Sequence, residues 1–188
     1  MKKAVLSLLA LSIFSVAVFA APVTFKADPN HSGVTFKIRH FFTTVPGSFG
    51  EMDATIVYDA SDVASSKATA SIAVVSVDTN NEKRDAHLAD EDFFDSDEFP
   101  AIEFESTSWE STGENTFSIK GDLTMAGETK PVTLEATLLG IQDNADGVSV
   151  SGWEATTKID RRDWGISYGQ GIVGNEVTIE IFLQAPAV

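Results

Sequence analysis

Among the side chains that do chemistry most readily, this sequence offers three histidines and no cysteine. His31 lies three residues after Asp28 and is followed by Ser32, the residue types of a hydrolytic triad. On extended chain, adjacent side chains project to opposite sides, so His31 is badly placed to take a proton from Ser32. His31, His40 and His87, with any of 28 carboxylates, are also zinc-ligand types, but none shows the H-x-x-x-H or H-x-E spacing that would specify a site. The acidic run Asp90 to Glu98 has the oxygens for a loosely held calcium ion without the spacing of an EF-hand. The expectation is therefore no metal, no cofactor and no catalytic set. Arg84 and Asp85 read as a helix-face ion pair or a tie to neighbouring chain. Phe93 and Phe94, adjacent within the acidic run, must cover an apolar surface with at least one ring.

These residues have to be positioned by two kinds of element. His87 falls in the one long interior stretch without strand alternation, Asp78 to Ser106, where Asn80 or Asn81 can cap a short helix over Glu82 to Ala89 and Pro100 marks the return to extended chain. His40 ends a strand in which Val34, Phe36 and Ile38 alternate with Thr35, Lys37 and Arg39, so its parity points it to the apolar side. Further alternating runs carry Val23/Phe25, Ala54/Ile56/Tyr58, Ala68/Ala70/Ile72, Ile102/Phe104, Phe117/Ile119, Leu134/Ala136, Trp153/Ala155 and Ile179/Ile181. Val45-Pro46-Gly47 reads as a break before the run of Ala54, Ile56 and Tyr58, Val74-Val75 as a bulge, and Ala126 to Thr129 as a hairpin turn. Eight to ten short strands with one helical insert indicate an all-β fold. An up-and-down barrel is preferred to a sandwich because closure removes exposed edges in a chain without disulfides.

The first twenty residues stand apart. Lys2 and Lys3 precede a mostly apolar run that ends in Val18-Phe19-Ala20, the pattern of a secretory signal cleaved after Ala20. A single domain from Ala21 to Val188 is expected to reach the periplasm. Without Lys2 and Lys3 the formal charge moves from −15 to −17. Such a surface repels nucleic acid and anionic lipid headgroups. Ala54, Ala68, Ala70, Gly121 and Ala136 fall on inward positions and leave volume for a ligand; Phe36, Phe104, Phe117 and Trp153 could equally fill it, and periodicity does not choose.

Several stretches taken together resemble the YceI-like family of secreted, lipocalin-like proteins. They are D-P-N-H-S-G-V-T-F-K-I-R-H (Asp28 to His40), V-P-G-S-F-G (Val45 to Gly50), D-T-N-N-E-K-R-D-A-H-L (Asp78 to Leu88), D-F-F (Asp92 to Phe94), F-P-A-I-E-F-E-S (Phe99 to Ser106), G-D-L-T-M-A-G-E-T-K-P-V-T-L (Gly121 to Leu134) and I-D-R-R-D-W-G-I (Ile159 to Ile166). The resemblance implies an extended antiparallel lipocalin-like β-barrel whose apolar interior binds a polyisoprenoid or other long-chain lipid, without enzymatic activity established for the family. It marks His31, Ser32, His40, Arg84, Asp85, His87, Leu88, Phe93 and Phe94. Where many relatives carry a basic residue after H-L, this chain has Ala89-Asp90, which leaves neutral quinone-like or amide-headed chains as open as phosphorylated ones.

Parity and resemblance together predict a tunnel formed by Val34, Phe36, Ile38, Ile56, Ile72, Phe104, Leu134, Trp153 and Ile179. His40 is expected at one end, with His87, Phe93 and Phe94 bordering the mouth. The function that follows is a periplasmic lipid carrier or store, with transient membrane contact allowed and no protein partner specified. The alternative is an isomerase or hydrolase acting on a lipid-like substrate with His40 or His87 as base.

Overall fold

The computed structural model describes residues 21–188, and the expected secretory segment over residues 1–20 lies outside the described residues. The strands are β1 (Val23–Lys26), β2 (Gly33–His40), β3 (Thr43–Phe49), β4 (Met52–Tyr58), β5 (Lys67–Ala73), β6 (Val77–Asp78), β7 (Ala101–Gly113), β8 (Thr116–Met125), β9 (Glu128–Asp143), β10 (Ser149–Asp160) and β11 (Val173–Pro186). Among the described residues a single α-helix, α1 (Glu82–Ala89), interrupts them between β6 and β7. All eleven strands belong to one antiparallel sheet in the order β1-β4-β5-β7-β8-β9-β10-β11-β2-β3-β6, curled into a half-barrel. The curl brings edge strand β1 against the end of β11, through the Phe25–Ala187 bridge and the Asp28 N–H, which donates to Gln184 O at 2.8 Å. At the other edge β6 pairs with Phe49 just before β3 leads through Gly50 and Glu51 into β4.

Local chemistry accounts for most boundaries. Asn81 is the helix cap: its side-chain oxygen accepts from the Arg84 N–H at 3.0 Å, and Glu82 and Asp85 occupy the positive first turn. The two-residue connection between β8 and β9 is Ala126-Gly127, both at positive φ, as a tight hairpin requires.

Two boundaries depart from expectation. Val45-Pro46-Gly47 is not a break but lies inside β3, with Pro46 opposite Lys37 and Gly47 opposite Phe36. Beyond Ser48 and Phe49 no strand among the described residues pairs with the outer side of β3, an edge position that tolerates Pro46. Gly47 is needed because a Cβ there would lie 2.3 Å from the Phe36 ring. Val74-Val75 is a 3₁₀ turn over Val74–Ser76 rather than a bulge, closed by Ser76 Oγ donating to Ala73 O at 2.6 Å. It swings the chain from β5 into β6 and buries Val74, whose N–H donates to Pro100 O.

The core divides in two. At one end Phe25, Tyr58, Trp109, Phe117 and Trp153 form an aromatic cluster, with Tyr58 and Trp153 ring centroids 5.3 Å apart and Trp109 and Trp153 5.9 Å apart, both edge-on. At the other, Val34, Phe49, Val74, Ile102, Leu123, Met125, Trp164 and Ile166 pack together, and Leu88, Phe93 and Phe94 lean on them from α1 and the turns that follow.

Candidate functional site

A cavity of about 390 Å³ runs through the inside of the curled sheet. Period two explains its walls: alternate residues of each strand face inward, so β2 supplies Val34, Phe36, Ile38 and His40, β5 supplies Ala68, Ala70 and Ile72, and β11 supplies Val177, Ile179 and Ile181. Ile56, Phe104, Leu134 and Trp153 come from β4, β7, β9 and β10, while His87, Phe93 and Phe94 come from the insert. The structure thus places every residue of the expected tunnel and mouth on the cavity wall. Phe36, Ile72, Phe104, Leu134 and Ile179 face inward yet stay only half-buried, because the space in front of them is open.

The small inward residues divide. Ala54, Ala68, Ala70 and Ala136 line the cavity, but Gly121 does not: the Phe104 ring takes the place its Cβ would occupy, at 2.4 Å. Phe117 is buried among the aromatic cluster rather than filling the interior.

A group of polar side chains lines the cavity where His87 of α1 meets Tyr168 in the loop before β11 and where His40 of β2 pairs with Val173. His87 donates through Nε2–H to the Asp92 carboxylate at 2.9 Å, Nδ1 has no hydrogen-bond partner among the described residues, and the ring is edge-on to Phe93 at 5.1 Å and Tyr168 at 4.9 Å. Arg84 Nε and Nη2 donate to Oγ1 and O of Thr79 at 2.6 and 2.7 Å, and Asp85 accepts from the Thr79 N–H at 2.9 Å. The expected Arg84–Asp85 tie therefore runs through one buried threonine at the entry to α1. His40 lies opposite Val173 and lines the cavity beside this group.

His31 and Ser32 are elsewhere. His31 Nδ1–H donates to Asp28 at 2.6 Å, a bond that holds the Asp28 carboxyl below its usual range; Ser32 Oγ donates to Gln184 O at 3.2 Å and accepts from Gln184 N. Both fasten the β1–β2 turn, and neither reaches the cavity. Gly165-Ile166-Ser167-Tyr168-Gly169 spells the G-x-S-x-G of a nucleophile elbow, a match the triad reading passes over. Its context is a 3₁₀ turn followed by loop, not a strand-to-helix turn, and exposed Ser167 shows no hydrogen bond to a histidine.

Trp109 and Arg161 are among the wall residues outside the expected set. Trp109 has the wrong parity relative to Ile102 and Phe104; a register shift between Ser106 and Ser108 turns it inward. Its indole N–H and that of Trp153 have no hydrogen-bond partner among the described residues. Arg161, in the quoted I-D-R-R-D-W-G-I stretch, is buried, and its guanidinium donates to Gly174 O at 2.8 Å, Ile166 O at 3.0 Å and Val173 O at 3.3 Å. Burial lowers its pKa, with the neighbouring Asp160 charge opposing, and a guanidinium stays charged across the working pH range. Only the doubled arginine hinted at it, and Arg162, paired with Asp160, is the exposed one.

The insert contributes to the wall through apolar contacts, with Phe94 edge-on to Phe49 at 6.0 Å. Because Leu88 and Phe94 are half-buried, Leu88→Ala and Phe94→Ala are each expected to cost about 2–3 kcal/mol, the low end for core truncations. Urea midpoints check this, and wild-type midpoints in both variants would make the insert a passive loop.

The chain matches the YceI-like domain over residues 25–185. Protein YceI of Escherichia coli is 37% identical over 187 residues, spanning 98% of this chain and 97% of the relative. Among solved structures, Burkholderia cenocepacia BcnA superposes with a TM-score of 0.76 at 25% identity, covering 84% of this chain and 98% of that one. A polyisoprenoid binding domain from Saccharophagus degradans, implicated in plant cell wall breakdown, shares the fold with a TM-score of 0.67 at 12% identity over 89% of this chain and 99% of its own.

Proposed function

The chain belongs to the YceI-like family, and from that premise we propose that it is a periplasmic carrier that holds a long isoprenoid or similar lipid inside the curled sheet. The observation that carries this reading is the cavity itself: a predominantly apolar bore with His40 and His87 on its wall. Each methylene moved from water into such a bore contributes about 0.8 kcal/mol before ordering losses, so the hydrocarbon part can supply the affinity without a strong polar contact. His40, with the Nδ1 of His87, would meet the head group, and Phe93 and Phe94 would border its entrance. The polyisoprenoid-binding neighbour supports this class of ligand. The signal-like stretch at residues 1–20 supports export, after which the mature chain would begin at Ala21.

An enzymatic role for His40 or His87 finds less support, since no nucleophile is hydrogen-bonded to either ring among the described residues. Native mass spectrometry of protein purified from the periplasm, followed by solvent extraction, separates the readings. A retained long-chain lipid released unchanged is the expected result. Turnover of that lipid on the purified protein, or protein that never carries one, would defeat the carrier reading.

A further inference from the structure

The two-residue connection between β2 and β3 is Phe41-Phe42. Hairpin tips of this length usually take Asn, Asp or Gly, because they need positive φ. Here Phe41 sits at φ +49°, a region a bulky side chain enters only with strain. The rings are not buried in return: Phe41 is 59% and Phe42 91% exposed, and the two stack on each other at 6.4 Å. A strained backbone that keeps two phenylalanines in water calls for something that takes them out of it.

Their place in the fold says what that is. Phe41 N–H donates to Ile172 O at 2.9 Å, and its ring is edge-on to His40, a cavity-wall residue. Ile172 and Tyr168 are themselves exposed, and Tyr168 lines the cavity against His87. The apolar patch is therefore continuous with the cavity wall at His40 and His87. Arg39, one residue before His40 on the outer parity, has no carboxylate within salt-bridge distance among the described residues.

We propose that Phe41 and Phe42, with Ile172 and Tyr168, dock the mouth of the cavity onto a lipid bilayer, Arg39 meeting headgroup phosphates. This rests on the carrier reading, because a long apolar ligand cannot cross water quickly and must pass from bilayer to bore through a mouth pressed against the membrane. Exposed aromatic rings partition into the boundary between headgroups and acyl chains. A formal charge of −17 beyond residue 20 selects against anionic surfaces, so the bilayer is one rich in zwitterionic phospholipid.

The test is flotation of the purified mature protein with vesicles of phosphatidylethanolamine and phosphatidylcholine, with and without phosphatidylglycerol. The variants are Phe42→Ser and the double change Phe41→Asn/Phe42→Ser, in which asparagine accepts the left-handed backbone. The wild type is expected to float with zwitterionic vesicles and less with anionic ones. The double variant should lose at least about tenfold of that partitioning. Its melting temperature should stay equal or rise, and its uptake of lipid from donor vesicles should slow along with the lost partitioning. Undiminished flotation of the variants would overturn the docking proposal. So would a lipid-loaded wild type that never floats, or a loss confined to self-association in light scattering, which would assign the patch to a second copy. Flotation of a protein that yields no extractable lipid would overturn the carrier premise separately, leaving the membrane contact standing.

Discussion

Placing a phenylalanine at Ala70 is expected to strip the protein of its lipid while leaving it folded. Ala70 lies on the cavity wall, directly between Ala54 and Phe104 in the register of β4, β5 and β7. A benzyl group there projects into open space, so the overpacking penalty of a filled core, about 1–3 kcal/mol, should be largely avoided. What it removes is length of bore. Excluding even three methylenes of bound chain forfeits about 2.4 kcal/mol, about fiftyfold in Kd. Ala136→Phe makes the same obstruction from β9, where Ala136 pairs with Phe117 and Ala155 at the aromatic end. Lipid per protein from extraction, with circular dichroism to confirm the fold, is the measurement. Folded variants of both kinds that retain a long-chain lipid at the wild-type level would sink the tunnel.

The second large effect is expected at Arg161, on stability. Its guanidinium holds three backbone carbonyls, those of Ile166, Val173 and Gly174, and so pins the start of β11 and the loop before it to the turn after β10. Bonds to a charged donor contribute about 1.5–3 kcal/mol each, and acceptors left buried without partners cost more than the bond was worth. Because the three act as a unit, their loss does not sum; Arg161→Ala should cost on the order of 3–5 kcal/mol. For a chain of this size that corresponds to roughly 10 °C in Tm. Arg161→Lys should recover little, since an ammonium lacks the planar fork that reaches three carbonyls at once. Calorimetry decides: an alanine variant within about 1 kcal/mol of wild type would mean that the loop is held by its own turns.

Much of the site is written in residue parity. Val34, Phe36, Ile38 and His40 share a side because successive residues of any strand alternate, and that holds before a strand has found a neighbour. The same local logic places the helix cap at Asn80 or Asn81 and a hairpin turn within Ala126 to Thr129, and the fold settles on Asn81 and Ala126-Gly127. Sequence alone therefore determined most of the strands, the helical insert and most of the side chains that share the interior face, but not β3. Whether that interior is filled was not local. It depended on Gly121 yielding its space to Phe104 and on Phe117 joining the aromatic end, leaving the middle of the bore open. Trp109 escaped parity because a register shift against β8 breaks the count. Arg161 looked like half of a surface pair because its partners are backbone carbonyls five to thirteen residues away, which no side-chain pattern encodes. Pro46 reads as a breaker until β6 is seen to pair with only two residues of β3. In each case a residue's role was set by what another part of the chain brings to it, and only the closing of the sheet decides that.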